Sequence, residues 1–157
     1  MSKFQLKVFF KAAYDLMLVF LQFFIISLHF FQWKFLPQKQ IIHVSPLSNF
    51  LGILIIFIAF IVMLVSIKDL GKNLSPFPRP INNSNLVTTG IYRFTRHPMY
   101  YSLIFISIGF FIIKLSIYYL FLTISLALII KFKIALEEKY LMNKFKNYLL
   151  YKNEVKF

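Results

Sequence analysis

The sequence predicts an all-α, polytopic transmembrane helical protein, with about four spans and an amphipathic C-terminal helix. Three observations carry this expectation. Apolar residues make up 59% of the chain and its mean hydropathy is +0.72, more than a soluble domain of this size buries. Long apolar runs approach or exceed the roughly 20 residues that cross a hydrocarbon core of about 30 Å. The net charge is +13, and the cations flank the apolar runs. That is the pattern of membrane-surface anchors, so we expect no nucleic-acid partner. The chain has no cysteine, which excludes disulfides, a thiolate nucleophile and Cys-based metal sites. Its 157 residues fit one membrane-embedded domain, 1–157.

The first span covers 12–31. It is too long for the core of a cleaved signal and no small-residue cleavage site follows, so a signal peptide is not expected. Asp15 lies within a turn of Lys11, which predicts an ion pair at the interface. Trp33 then serves as an interfacial aromatic in the polar connection 33–46. The second span is 50–67, and Gly71 is a helix stop. Residues 72–96 are rich in Pro and Asn (Pro76, Pro78, Pro80, Asn82, Asn83, Asn85), so extended or turn backbone is expected. A loop this long in a small protein points to a functional segment. Beyond it, 100–132 is apolar except for Lys114 and a few hydroxyls. One straight helix there would run about 50 Å, so Lys114 marks a hairpin between spans 98–113 and 115–132. The segment 133–152 reads as an interfacial amphipathic helix with Leu141, Phe145 and Tyr148 on one face. With four spans, 15 of the 18 Lys and Arg residues fall on one side, leaving Lys34, Lys39 and Lys114 opposite. This bias predicts an integral, multi-pass protein with both termini and the 72–96 loop cytoplasmic.

Two clusters are not explained by membrane insertion. The first runs from Thr88 to Tyr100 and contains Arg93, Arg96, His97 and Pro98. Pro98 suits the first turn of a helix, which puts Arg96 and His97 at the doorway of the third span. Free backbone N–H groups there, with the Arg96 fork, suit a carboxylate or phosphate. His97 has a near-neutral pKa, and Tyr100 lies one turn on. The second cluster is Glu137 and Glu138, followed by Phe145, Tyr148 and Tyr151. Carboxylates near a membrane are costly unless paired or used. Adjacent helical residues diverge by about 100°, so one should face the protein and the other water or a lysine. The hairpin returns the second cluster to the face of the first. A sulfonium cofactor bearing a carboxylate, an ammonium and ribose hydroxyls matches this mixture of groups, with aromatic faces for its ring and cation. Taken singly, Arg93 and Arg96 also read as topology anchors, His97 as a structural histidine and the glutamates as surface partners of Lys133 and Lys139. The chemistry rests on their coincidence.

Gly90-x-Tyr92-x-x-x-Arg96-His97-Pro98-x-Tyr100 resembles the G-x-Y-x-x-x-R-H-P-x-Y signature of the isoprenylcysteine carboxyl methyltransferases and their phospholipid methyltransferase relatives. Glu137-Glu138-x-x-Leu141-x-x-x-Phe145 is similar to their second signature, and 70–78 resembles the proline-bearing segment of bacterial members. Ser102 stands where the family often has Gly, and the spacing from Phe145 to Tyr148 is one residue short. The resemblance implies S-adenosyl-L-methionine as cofactor, bound by Arg96, His97, Tyr100, Glu137 and Glu138, with Arg96, His97 and Glu138 catalytic. It implies methyl transfer to a lipophilic acceptor, either a prenylcysteine-like carboxylate or a phospholipid-like group, amid membrane lipids. A sterol-reductase-like oxidoreductase using a nicotinamide cofactor, and a non-catalytic membrane assembly protein, are the alternative readings.

Overall fold

A computed structural model describes residues 3–30 and 44–156; Trp33, Lys34 and Lys39 lie outside the described residues. Among the described residues five α-helices follow in order: α1 (Lys3–Phe30), α2 (Pro46–Leu70), α3 (Pro98–Lys114), α4 (Ile117–Lys144) and α5 (Tyr148–Glu154). No strand occurs among the described residues. Among the described residues three helices are long and apolar enough to cross a membrane: Phe9–Phe30, Pro46–Asn73 and Ile117–Lys144. α3, with 17 residues, rises about 26 Å and is the short fourth. Large side chains such as Phe20, Phe57 and Phe121 point outward, as a lipid-facing surface requires. The chain is an integral membrane protein.

Local chemistry sets the helix ends. Ser45 caps α2 in a reciprocal box, its Oγ accepting from Ser48 N at 3.1 Å and Ser48 Oγ accepting from Ser45 N at 3.1 Å, with Pro46 at the first position. Gly71 ends α2 at φ +51, a backbone that only glycine takes without strain. Pro98 opens α3, which ends at Leu115 in the left-handed region, φ 43. Ser116 then caps α4 by accepting from Tyr118 N at 3.3 Å. The turn at Lys114 is thus as tight as two residues allow.

Helix bounds differ from the sequence reading in a consistent direction. α1 begins well before residue 12, and α4 runs unbroken from Ile117 to Lys144, across the expected boundary at 132–133. Lys, Glu, Leu, Ala and Met are good helix formers, and neither Gly nor Pro interrupts 117–144. A span therefore leaves the bilayer as the same helix. The break comes instead at Phe145–Asn147, between α4 and α5. Leu141, Phe145 and Tyr148 do not share one helix, and they face a cleft rather than the interface.

The helices pack in the spatial order α2, α3, α4, α1. α2 lies on α3, where Gly52 and Gly109 meet closely enough that a Cβ on either would sit 2.8 Å from the other's carbonyl oxygen. α1 packs on α4 through Ile25, Leu122, Leu126 and Ile130. Deep in the bundle, His29 Nδ1 lies 2.9 Å from Ile25 O. A carbonyl only accepts, so Nδ1 carries the proton and Nε2 accepts from Ser107 Oγ at 2.7 Å. Ser107 in turn meets Thr123 Oγ1 at 2.8 Å. This buried polar chain joins α1, α3 and α4, and it fixes the hairpin register. Ser107 and Thr123 sit at equal distances on either side of Leu115.

Candidate active site

Register carries the two clusters to the same place. Arg96 and His97 precede α3 in non-helical backbone, with His97 at φ −132, ψ 51. That segment is slung between two anchors. At one end Asp69, from the last turn of α2, accepts from Ile91 N at 2.8 Å, and Gly90 turns at φ +62 directly against that carboxylate. At the other, Tyr151 of α5 donates to the Tyr92 carbonyl at 2.6 Å. Burial raises the pKa of Tyr151 to about 12 and lifts Tyr92 and Tyr148 as well, so these hydroxyls stay protonated at neutral pH.

Glu138 is the hub. Its Oε1 accepts from Arg96 Nε at 2.9 Å and lies 3.3 Å from His97 Nε2, and its Oε2 accepts from Lys152 Nζ at 2.6 Å. Arg96 Nη1 also donates to the carbonyls of Lys152 and Val155. One carboxylate therefore binds the doorway of α3, the end of α4 and α5 together. Glu137 points elsewhere, as adjacent helical residues must. Its Oε2 accepts from Tyr100 Oη at 2.6 Å. One glutamate, Glu138, does meet a lysine, Lys152, but it is also held by protein, because the non-helical 94–97 segment wraps far enough to meet it while Tyr100 reaches Glu137. Lys133 and Lys139, the expected surface partners, pair with neither, and Lys152 takes that place.

All five expected residues thus come together. Arg96, His97, Tyr100 and Glu137 line one cleft, while Glu138 stands behind them. The empty space within the cleft is about 770 Å³ when open solvent is counted. The loop 72–96 forms its opposite wall with polar Asn73, Ser75, Ser84 and Asn85. Tyr148 is fully buried beside the cleft, and its hydroxyl has no hydrogen-bond partner among the described residues.

Sequence reasoning missed several contributors. Asp15 does not pair with Lys11; its carboxylate meets Arg79 at 3.1 Å and Tyr140 Oη at 3.2 Å. Lys152 and Gln22 were not singled out, and Lys133 was read only as a surface partner of the glutamates, although Lys133 and Glu137 share a helix face at i and i+4. A lysine set among Ile130, Phe132 and Ile134 was the available signal.

The model of the phospholipid methyltransferase family matches residues 47–148, from the first turn of α2 to the start of α5. No curated protein and no solved structure matches the chain. The matched stretch is well over half of the sequence and holds both clusters with the hairpin that joins them, so the chain belongs to the phospholipid methyltransferase family.

Proposed function

We propose that this protein transfers a methyl group from S-adenosyl-L-methionine to a lipophilic acceptor in the bilayer, with the cleft holding the donor. The observation that carries this is the meeting of Arg96 and His97 with Glu137 and Glu138 at one cleft. The residues present fit the donor. The buried Tyr148 hydroxyl offers a hydrogen bond that no described residue uses. Glu137 Oε1 has no partner among the described residues and suits a ribose hydroxyl or an ammonium. The Arg96 Nη2 edge is likewise uncommitted and suits a carboxylate. The Tyr92, Tyr100 and Tyr148 rings suit the cation and the adenine.

When bound, the donor supplies an electrophilic methyl carbon on a sulfonium sulfur. The chain's own task is alignment and exclusion of water, which together can lower a barrier by about 7–11 kcal/mol. Glu138 holds Arg96 and His97 in place. With His97 Nε2–H directed at Glu138, Nδ1 is left to take the proton that an amine acceptor sheds. A carboxylate acceptor needs no base, and Arg96 would orient it; Arg93, the other candidate, is exposed and lies outside this cleft. Arg96, His97 and Glu138 are the catalytic group of this proposal; Arg96, His97, Tyr100, Glu137 and Glu138 are its cofactor-binding set. The charge bias supports a single membrane-embedded unit with both termini and the 72–96 loop in the cytoplasm, where a water-soluble donor is available.

The test is incubation of the purified protein, in detergent with added lipid extract, with methyl-labelled S-adenosyl-L-methionine. Label is expected in the lipid phase, and its chemical form identifies the acceptor. Binding of a nicotinamide cofactor with no binding of S-adenosyl-L-methionine would overturn the proposal.

A further inference from the structure

The helix α1 precedes the family-matched residues 47–148 and contributes nothing to the wall of the cleft. Yet it carries two polar side chains, Asp15 and Gln22, that are 4% and 6% exposed. Polar groups buried in a membrane helix are costly and mark a use. Both are used on the same object. Asp15 Oδ2 pairs with Arg79 Nη2 at 3.1 Å, and Tyr140 Oη donates to the same carboxylate. The Arg79 guanidinium also lies over the Tyr140 ring, 5.4 Å from its centroid. Two turns along α1, Gln22 Oε1 accepts from Lys133 Nζ. That ammonium also donates to the Pro76 carbonyl at 2.9 Å and sits 5.2 Å from the Tyr100 ring centroid.

Asp15 and Gln22 are seven residues apart, and so are Lys133 and Tyr140. Seven residues are about two helical turns, so α1 and α4 form two polar rungs. Each rung reaches out to the loop, one through Arg79 and one through the Pro76 carbonyl. Prolines at 76, 78 and 80 remove backbone donors, so this stretch cannot tie itself down with a ladder of its own. Pro78 between the rungs is fully buried. Ser75, Phe77, Pro78, Arg79 and Pro80 all line the cleft.

We propose that Asp15 and Gln22 are positioning residues that clamp the 76–79 segment over the cleft, through Arg79 and Lys133, and so govern access to it. That the cleft takes S-adenosyl-L-methionine rests on the function proposed above; the clamp itself does not. The chain has no cysteine, so Ser75→Cys gives a single thiol on the cleft side of the segment, and its rate of maleimide labelling reads opening. In that background, using the full chain in detergent, Arg79→Met and Asp15→Asn each raise labelling by about 5–30-fold, the factor that one or two kcal/mol represents. The double variant rises no further than either single one. Arg79→Lys stays near the parent, because it keeps the charge. Gln22→Leu raises labelling independently through the second rung. Added S-adenosyl-L-methionine slows labelling of the parent, and its Kd weakens in parallel with opening.

Unchanged labelling in Arg79→Met and Asp15→Asn, with circular dichroism and melting like the parent, overturns the clamp even if the donor binds. Raised labelling with no protection by the donor upholds the clamp and counts against the donor instead. Additive effects of Asp15→Asn and Arg79→Met would show that the two side chains do not act on each other, which also overturns it.

Discussion

Glu138→Gln tests the hub on which the site depends. The replacement keeps side-chain volume and removes one charge. Glu138 is 8% exposed and serves Arg96 Nε at 2.9 Å, His97 Nε2 at 3.3 Å and Lys152 Nζ at 2.6 Å. A Gln amide has one accepting and one donating end. Whichever way it turns, a donor faces Arg96 and His97 or faces Lys152. Removing one partner of a buried ion pair costs about 3–5 kcal/mol. The Lys152 side chain is 34% exposed and can turn to water, so that arm contributes little. The low end, about 3 kcal/mol, is therefore expected. For a chain of this size that lowers the melting midpoint by about 6–12 °C, measured by circular dichroism in detergent. Arg96→Met should be similarly costly, and the double variant should lose much less than the sum of the two. Glu154→Gln, exposed on α5, is the control and should change stability by less than about 0.5 kcal/mol. A Glu138→Gln protein that melts within about 2 °C of wild type, or strict additivity with Arg96→Met, would refute the claim that this carboxylate joins α3, α4 and α5.

Three further outcomes follow from the geometry. Gly109→Ala places a Cβ 2.8 Å from the Gly52 carbonyl and 2.5 Å from Ile56 Cγ1, so α2 and α3 must part; the overpacking costs about 1–3 kcal/mol, visible as a lower melting midpoint. Gly90→Ala meets Asp69 Oδ2 at 2.1 Å at φ +62, whereas Gly71→Ala meets nothing within 4 Å at φ +51. Both carry backbone strain of about 1–3 kcal/mol, but only Gly90→Ala should also break the Asp69–Ile91 bond and weaken donor binding measured by calorimetry. Tyr148→Phe removes a hydroxyl that no described residue uses, so stability should hold or rise while donor affinity falls by about 5- to 10-fold, the worth of one hydrogen bond. Unchanged affinity would remove Tyr148 from the site.

The fold and the core of the site were legible because both rest on short-range rules. Apolar length gave the spans, Gly71 gave the end of α2, and Pro98 with Lys114 gave the two ends of α3. Once the turn is tight, distance from it is the only variable. Tyr100 lies 15 residues before Leu115 and Lys133 lies 18 after, while Arg96 and Glu138 sit about one turn further out on each side. The clusters therefore meet although Glu138 lies 42 positions after Arg96. Helix bounds were read short because hydropathy reports where lipid ends, and an α-helix of Lys, Glu and Leu continues past that point.

Partners of buried charges were the least legible, for a physical reason. Asp15 has Lys11 one turn away, so a local pair is the obvious reading. A pair between two side chains on one exposed helix face is worth only about 0.3–0.5 kcal/mol, too little to decide where a carboxylate goes. Asp15 instead sits on the stripe that α1 turns to α4, with Leu18, Gln22, Ile25 and His29, and apolar packing sets that orientation. Once the stripe is buried, the carboxylate must take whatever cation the neighbouring backbone brings, and the proline-rich loop brings Arg79. Sequence pattern ranks residues by their own helix; buried charge is settled by the next one. The same reasoning explains Lys133, whose burial at 1% exposure is tolerable only because Gln22 and the Pro76 carbonyl come from two other segments. A chain lacking α1 would take Gln22 from Lys133 and Asp15 from Arg79, so α1 supports the loop that walls the cleft although it touches none of the cleft itself.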